Sequence, residues 1–202
     1  MTKENIEMLA KAVMGRIFIE LEASGRHVHL TKEQAEVLFG HPLTKKRELS
    51  QPGQYLANER VTVKGPKGEF INVAVLGPER KEAQIELSLT DSRTLGLDVP
   101  IRASGDVAGS PGVHIVGEKG SVRVMQGAIA AQRHIHMTPG DAEKMGVRDG
   151  QCVRLQVFTR RPLIFEDVLV RVSKDFRTYV HLDYDEANAC GFESGDLGRI
   201  LT

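Results

Sequence analysis

The stretch RHVHLTKEQAE at residues 26–36 returns in altered form as RHIHMTPGDAE at residues 133–143. Six of the eleven aligned positions are identical, and two others exchange similar apolar side chains. Each copy carries two histidines separated by one residue, followed by the start of a helix. This repeat predicts two related halves, the first running from about Arg26 to Gln132 and the second from Arg133 onward.

Local signals predict a short helix after each histidine pair. In the first copy, Thr31 and Gln34 have the spacing of a capping box, and Gly40 stands where a left-handed residue ends a helix. In the second copy, Thr138 is the expected N-cap and Gly146 the expected C-terminal glycine. The two copies therefore share a local structure as well as their histidines.

Short strand-like runs fill most of the remaining chain, and Gly or Pro turns separate them. Their regular spacing favours small β-barrels over a parallel nucleotide-binding sheet, and no GxGxxG or P-loop motif is present. The predicted fold is mainly β with short helices, arranged as two related small β-barrel domains. The runs are RVTVKG, FINVAVLG, AQIELSLT, IRASG, GVHIVG, SVRVMQG, CVRLQVF, DVLVRVS and TYVHLDY.

The composition excludes several classes of protein. Lys plus Arg and Asp plus Glu both number 27, so no net charge favours nucleic acid or an anionic membrane. Cys152 and Cys190 form no CxxC motif, which favours a reducing compartment. No apolar run is long enough to span a bilayer. The sequence therefore predicts a soluble, intracellular type of protein.

Residues 4–14, ENIEMLAKAVM, have the apolar spacing of an amphipathic helix, with Ile6, Leu9, Ala10 and Val13 on one face. This segment precedes the first copy of the repeat.

The two histidine pairs predict metal binding. Residues i and i+2 of a strand face the same way, so His27 with His29, and His134 with His136, each direct two imidazoles to one point. Neutral imidazole suits zinc and neighbouring transition metals. A single such pair is more often an exposed pair without function, but the repetition favours metal ligands.

Two runs in which apolar and polar residues alternate offer a third ligand for each histidine pair. His181 in TYVHLDYDEAN lies on the polar face of its run, and Asp183 or Asp185 is a candidate to support an imidazole. In RKEAQIELSLT at residues 80–90, predicted as one strand, Glu86 is preferred over Glu82 as a ligand.

Arg80 opens the second of these runs, next to a Gly-Pro turn, and its guanidinium suits a phosphate or a carboxylate. On a straight strand, Arg80 and Glu86 are about 20 Å apart. Both reach one site only if the chain bends between them.

The segments SGRHVHL, LSQPGQYLANERVTVKGPKG, VLGPERKEAQIELSLTD, GSPGV and AQRHIHMTPGDAE resemble the PduL-type phosphate propanoyltransferases. The resemblance runs from about Ile17 to the last residues. It implies an enzyme that exchanges an acyl group, propionyl or acetyl, between coenzyme A and phosphate. It also implies two β-barrels with a dinuclear zinc site at their junction.

The resemblance implies domain boundaries and roles for individual residues. An N-terminal helix (1–16) precedes a first barrel (26–132) and a discontinuous second barrel (17–25 and 133–202). One zinc ion has the ligands His27, His29 and Glu86, and the other has His134, His136 and His181. Arg80 is the catalytic, phosphate-binding arginine. The implied coenzyme A contacts are Ser24, Gly25, Arg26 and Asn188.

Family members of bacterial microcompartments begin with an encapsulation peptide, and residues 4–14 resemble one. A helix that packs on its own barrel or on a dimer partner is the alternative. The resemblance further implies propanediol degradation, a homodimer or larger homo-oligomer, microcompartment shell or cargo partners, and a location in the microcompartment lumen or otherwise the cytoplasm.

Two other functions are compatible with the same residues. A dinuclear metallohydrolase cleaves thioesters or phosphoesters and needs only water, whereas the transferase needs phosphate. A noncatalytic metal-binding β-barrel module uses its ions for stability alone.

Overall fold

A computed structural model of the chain describes residues 2–15 and 17–201. The helices are α1 Lys3–Met14, α2 Lys32–Phe39, α3 Leu89–Leu95, α4 Pro139–Met145 and α5 Tyr184–Cys190. The strands are β1 Ile19–Ser24, β2 His27–His29, β3 Lys45–Glu48, β4 Tyr55–Lys64, β5 Glu69–Gly77, β6 Gln84–Glu86, β7 Ile101–Arg102, β8 Val113–Val116, β9 Ser121–Val124, β10 Ala128–Ala131, β11 His134–Met137, β12 Cys152–Phe158, β13 Leu163–Val172, β14 Tyr179–Asp183 and β15 Leu197–Leu201.

The chain divides into two compact units. The first contains the described residues of Met1–Ser24, Arg133–Leu182 and Glu186–Thr202. The second contains Gly25–Gln132 and Asp183–Asp185.

Six strands of the first unit close into a barrel in the order β1-β14-β11-β13-β12-β15. Most neighbours are antiparallel, but β11 and β13 run parallel. Burial alternates along β12, and along β13 it does so except at Glu166 and Asp167, so one face of each strand is turned inward. The barrel core includes Ile19, Leu21, Ile135, Met137, Leu155, Val168, Val170, Val180 and Leu182.

The second unit is built on a curled nine-stranded sheet in the order β7-β10-β6-β2-β5-β4-β8-β9, with β3 paired to β4. The histidine strand β2 lies in the middle of this order, parallel to β5 and antiparallel to β6. The core against which this sheet packs includes Val28, Leu30, Leu38, Val63, Val75, Ile85, Leu95 and Ile115. Because β2 is paired with a strand on both sides, its backbone position and the direction of its side chains are fixed.

Two similar hairpin turns of the second unit hold the ends of α2 and α3. The Lys67 amide donates to the carbonyl of Leu95, and the Lys119 amide donates to the carbonyl of Leu38. A Cβ on Gly65 would lie 2.3 Å from the Leu95 oxygen, so only glycine allows this approach. Because α2 follows β2 and α3 follows β6, these turns fix the helices next to the site strands.

The structure confirms the mainly β prediction with barrel-like domains and the helix signals of the repeat. Both bonds of the capping box at Thr31 are present, and Gly40 adopts a left-handed φ of 77°. Thr138 caps α4, and Gly146 ends it with a φ of 67°. The strand predicted over residues 80–90 is wrong in extent, because only Gln84–Glu86 is strand and Ser88 caps α3.

The helix predicted over residues 4–14 is confirmed as part of α1. Ile6, Met8 and Val13 expose 54%, 65% and 47% of their surface, so an apolar part of this helix is open to solvent. The side chains of Leu9 and Ala10 lie outside the described residues. No helix in the described part of the chain is both long enough and apolar enough to cross a bilayer.

Asp141 stabilises the start of α4, and its loss is expected to weaken the fold. Its carboxylate accepts from the Thr178 hydroxyl at 2.7 Å and from Lys144 Nζ at 2.8 Å. Burial alone raises the pKa of Asp141, but these donors hold it below its ordinary value. Asp141→Asn is therefore expected to lower the free energy of unfolding by about 0.5–1 kcal/mol at neutral pH.

The pH dependence of this effect follows from the lowered pKa. The stabilisation is complete above the unfolded value of about 3.9 and is lost as the pH falls through the folded value. Urea unfolding of wild type and variant at pH 7 and in acid measures it, and the difference is expected to shrink in acid. Asp175→Asn at an exposed position is the control. An equal loss in this control contradicts the prediction.

Candidate metal centres

The first candidate centre lies on β2 and β6. In their antiparallel register, His27 is opposite Glu86 and His29 is opposite Gln84, which places all four side chains on one face. His27 Nε2 is 3.5 Å from Glu86 Oε2, and His29 Nε2 is 3.8 Å from Glu86 Oε1. Both imidazoles are buried, with 5% and 2% of their surface exposed. The pairing of the two strands thus completes the first triad, His27, His29 and Glu86.

The backbone fixes the orientation of His27. Its Nδ1 lies 2.8 Å from the carbonyl oxygen of Gly25, which can only accept a hydrogen bond. Nδ1 therefore carries the proton that is donated to Gly25, and Nε2 faces Glu86. Metal-binding imidazoles are commonly held in this way, through the nitrogen that does not bind the metal.

The charges of the first triad are strongly coupled. Burial lowers the pKa of His27, but the Glu86 carboxylate and the hydrogen bond to Gly25 together hold it above its ordinary value. Burial and the charge of His27 hold the pKa of His29 well below the ordinary value. Burial raises the pKa of Glu86, but His27, His29 and Arg80 together bring that pKa well below the ordinary value. A carboxylate kept ionised in a buried place suits a cation beside it.

The second candidate centre lies on β11 and β14 of the barrel. His134 is opposite His181 in the antiparallel register, and His136 is two residues further along β11. The ring centroids of His134 and His181 are 5.0 Å apart in a stacked arrangement, and those of His136 and His181 are 4.7 Å apart. The second triad, His134, His136 and His181, thus has three imidazoles around one point.

Two neighbours of the second triad were not predicted from the sequence. Glu22 on β1 places its Oε2 3.4 Å from His181 Nδ1, and Phe176 packs its ring 4.2 Å from that of His136. The Asp185 carboxylate, which the sequence offered as a support for His181, accepts instead from the Thr90 amide. Glu22 was missed because the pairing of β1 with β14 is a long-range contact that no local pattern encodes.

The donor atoms of both triads fit a metal ion. Within each triad, the ligand atoms all lie within 4.8 Å of one another. Three imidazoles, or two imidazoles and one carboxylate, are ligand sets of zinc in proteins. Among the described residues, these are the two groups of three or more His, Cys, Asp or Glu side chains with such spacing.

Arg80 is brought to the first triad by a bend in the chain. The segment from Pro78 to Ala83 is irregular, and only Gln84–Glu86 continues as strand. Arg80 Nη1 lies 3.5 Å from Ser104 Oγ, which in turn donates to Glu86 Oε1 at 3.0 Å. The bend that the sequence required is therefore present, whereas the rival ligand Glu82 is exposed.

The residues implied as coenzyme A contacts lie in different settings. Ser24 ends β1, and Asn188 is exposed on α5. A Cβ on Gly25 would lie 2.7 Å from the Tyr184 ring. Arg26 Nη2 binds Asp91 at 3.0 Å, and its guanidinium stacks 4.0 Å from the centre of the Phe70 ring. Arg26 thus ties the start of β2 to α3 and β5.

Comparison with known proteins identifies the family. The family model of phosphate propanoyltransferase matches residues 20–193, which contain both triads. The chain belongs to the phosphate propanoyltransferase family. It is 51% identical over 198 residues to the phosphate propanoyltransferase of Listeria monocytogenes, covering 97% of this chain and 93% of that protein.

Other relatives agree with this assignment. The phosphate propanoyltransferase of Clostridioides difficile is 52% identical, covering 98% of this chain and 96% of the relative. That of Enterococcus faecalis is 54% identical, covering 90% and 87%. As a member of the phosphate propanoyltransferase family, the chain is an enzyme of the phosphotransacylase type.

Proposed function

We propose that the chain transfers a propionyl group, and also acetyl, between coenzyme A and inorganic phosphate. The reaction converts acyl-CoA and phosphate into acyl phosphate and coenzyme A. The observation that carries this proposal is the name shared by relatives that are 51% and 52% identical over almost the whole chain. The two triads and Arg80 supply groups that suit this reaction.

Each triad binds one zinc ion in this proposal, so that a chain holds two. His27, His29 and Glu86 are the ligands of one ion, and His134, His136 and His181 are the ligands of the other. The support is the donor set of each triad and its close spacing. The Gly25 carbonyl supports the His27 imidazole of the first triad, and the Glu22 carboxylate supports the His181 imidazole of the second.

Arg80 holds the attacking phosphate. Phosphate is already an anion at neutral pH, so it needs positioning more than deprotonation. The guanidinium offers several parallel donors, and its contact with Ser104 places it next to the first triad. When bound, zinc would act as a Lewis acid towards either the thioester carbonyl oxygen or the sulfur of the departing thiolate.

Phosphate attacks the acyl carbon directly in this mechanism, without an acyl-enzyme. A phosphate oxygen forms the new C–O bond, and the C–S bond breaks to release the coenzyme A thiolate. Neither cysteine suits a covalent step. Burial raises the pKa of the Cys190 thiol, which also donates to the Ala187 carbonyl. Cys152 is exposed at the start of β12 and belongs to neither triad.

Coenzyme A contacts Ser24, Gly25, Arg26 and Asn188 in this proposal. The proposed domains of the chain are one barrel at residues 26–132 and a discontinuous barrel at residues 17–25 and 133–202. The chain forms a homodimer or a larger homo-oligomer.

The exposed apolar residues of α1 support a role of residues 4–14 as an encapsulation peptide for shell or cargo proteins. The enzyme then works in propanediol degradation in a microcompartment lumen, and without such docking it works in the cytoplasm.

An assay with and without phosphate tests the reaction. Purified chain with propionyl-CoA is expected to release coenzyme A only when phosphate is present, and to form propionyl phosphate in equal amount. The reverse assay starts from acyl phosphate and coenzyme A. Equal release of coenzyme A without phosphate indicates a thioester hydrolase and contradicts the proposal. A residue acylated by acyl-CoA alone contradicts direct attack.

A further inference from the structure

Gln84 is a buried polar side chain next to the first triad. Only 2% of its surface is exposed, and it lies opposite His29 in the register of β2 and β6. It stands two residues before Glu86 on the same strand, so both side chains share one face. A buried amide at such a place requires partners for both of its ends.

The hydrogen bonds of Gln84 decide how its amide is oriented. The Gly105 amide donates to Gln84 Oε1 at 2.7 Å, and a backbone N–H can only donate. The side-chain oxygen must therefore face Gly105, and the NH₂ group must face the other way. Gln84 Nε2 accordingly lies 2.5 Å from Glu86 Oε1 and 2.8 Å from Ser104 Oγ.

The orientation of the Gln84 amide determines how the Glu86 carboxylate is held. Its Oε1 accepts from Gln84 Nε2 and from the Ser104 hydroxyl. Its Oε2 faces His27 Nε2 at 3.5 Å. The terminal torsion of a glutamate is soft, so without these donors the carboxylate rotates easily. The two donors thus hold one oxygen and leave the other directed at the ligand imidazole.

We propose that Gln84 is the positioning residue of the first metal centre. It fixes Glu86 as a ligand and, through Ser104 and Gly105, holds the turn that Arg80 contacts. One amide thereby keeps a metal ligand and the phosphate-binding guanidinium in a single arrangement. This inference rests on the proposed zinc at the first triad.

Gln84→Met tests the role, because it keeps the length of the side chain and removes its hydrogen bonds. The measurement is a competition titration of zinc against a chelator. It is made in a His134→Gln background, so that only the first triad is read. Gln84→Met is expected to weaken zinc binding by about 10–100-fold, as for other residues that hold a metal ligand. The phosphate KM, measured with the second triad intact, is expected to rise as well.

Gln126→Met is the matched control. Gln126 also accepts from a glycine amide of the loop after β7, that of Gly109, but unlike Gln84 it is exposed. Its zinc affinity and phosphate KM are expected to match those of the parent. An equal effect of both variants overturns the inference, because the loss then follows from the loop alone.

Ser104→Ala covers the case in which Gln84→Met does not fold. At a partly exposed turn, it removes both the second contact of the Gln84 amide and the hydroxyl that donates to Glu86 Oε1, and the zinc affinity of the variant is expected to fall by about 10-fold. The inference is overturned if zinc affinity is unchanged in the folded Gln84→Met chain, or in Ser104→Ala where that variant is used instead. The proposed function is then left intact. A parent that takes up no zinc at the first triad overturns both.

Discussion

Replacing His27 by glutamine is expected to lower the rate of acyl transfer by about 10³-fold or more. Lewis-acid stabilisation contributes several kcal/mol to a transition state, and each 1.36 kcal/mol is about a factor of ten in rate. Glutamine keeps a donor for the Glu86 carboxylate, which avoids leaving a buried charge unpaired. The corresponding change in the second triad, His134→Gln, is expected to have a loss of the same order.

Zinc content and melting distinguish a catalytic from a structural role. Each variant is expected to lose one zinc ion per chain and to keep cooperative melting and the circular dichroism of the wild type. Chelator-stripped wild type is expected to lose activity and to regain it with zinc. His114→Ala, at an exposed position on β8, is the control and keeps full activity. Collapse of the fold in the His27 variant instead favours a structural metal, and unchanged activity contradicts the proposed centre.

Replacing Arg80 by methionine is expected to lower kcat/KM for phosphate by about 10²–10³-fold, the usual effect of losing one donor to an anionic reacting group. Arg80→Lys keeps the charge but not the planar set of donors, so this variant is expected to retain only part of the wild-type activity. The KM for acyl-CoA is expected to change less, because the role proposed for the guanidinium is to bind phosphate. Steady-state kinetics with each substrate varied in turn measures the three effects.

Lys81→Met is the matched control for Arg80. Lys81 is the next residue in the same irregular segment and is exposed. Its removal also takes one positive charge from the segment, so a general electrostatic effect lowers both variants alike. Equal losses in Lys81→Met and Arg80→Met, or an Arg80 effect on acyl-CoA alone, contradict the role in phosphate binding.

The local parts of this fold are readable from the sequence because they depend on neighbouring residues. The cap at Thr31 needs only Gln34 three positions later, and the structure has both hydrogen bonds. The same holds for Thr138 at the start of α4. Two histidines separated by one residue share a face in any strand, so the two pairs were predictable without knowing the fold.

The run at residues 80–90 shows where alternation misleads. Ile85 and Leu87 are buried as an alternating strand requires, but Ser88 accepts from the Asp91 amide and starts α3. The Ser-x-x-Asp spacing of residues 88–91 was the available signal. The cap outweighs the strand preference because it satisfies an amide at the helix start.

The supporting residues of both triads were beyond local reasoning. Glu22 meets His181 only because β1 and β14 are neighbours in the barrel. Ser104 meets Glu86 only because the turn after β7 returns to β6. Contacts between segments far apart in the chain depend on strand order, which propensity and periodicity do not specify.

The sequence by itself determined the histidine pairs, the caps of the helices that follow them, and the mainly β class, since each depends on spacing along a short segment. Only the tertiary structure decided that Glu22 stands beside His181 and how Gln84, Ser104 and Arg80 meet. Those contacts depend on strand pairing, which brings distant segments within hydrogen-bond reach and fixes side chains whose sequence positions carry no common pattern.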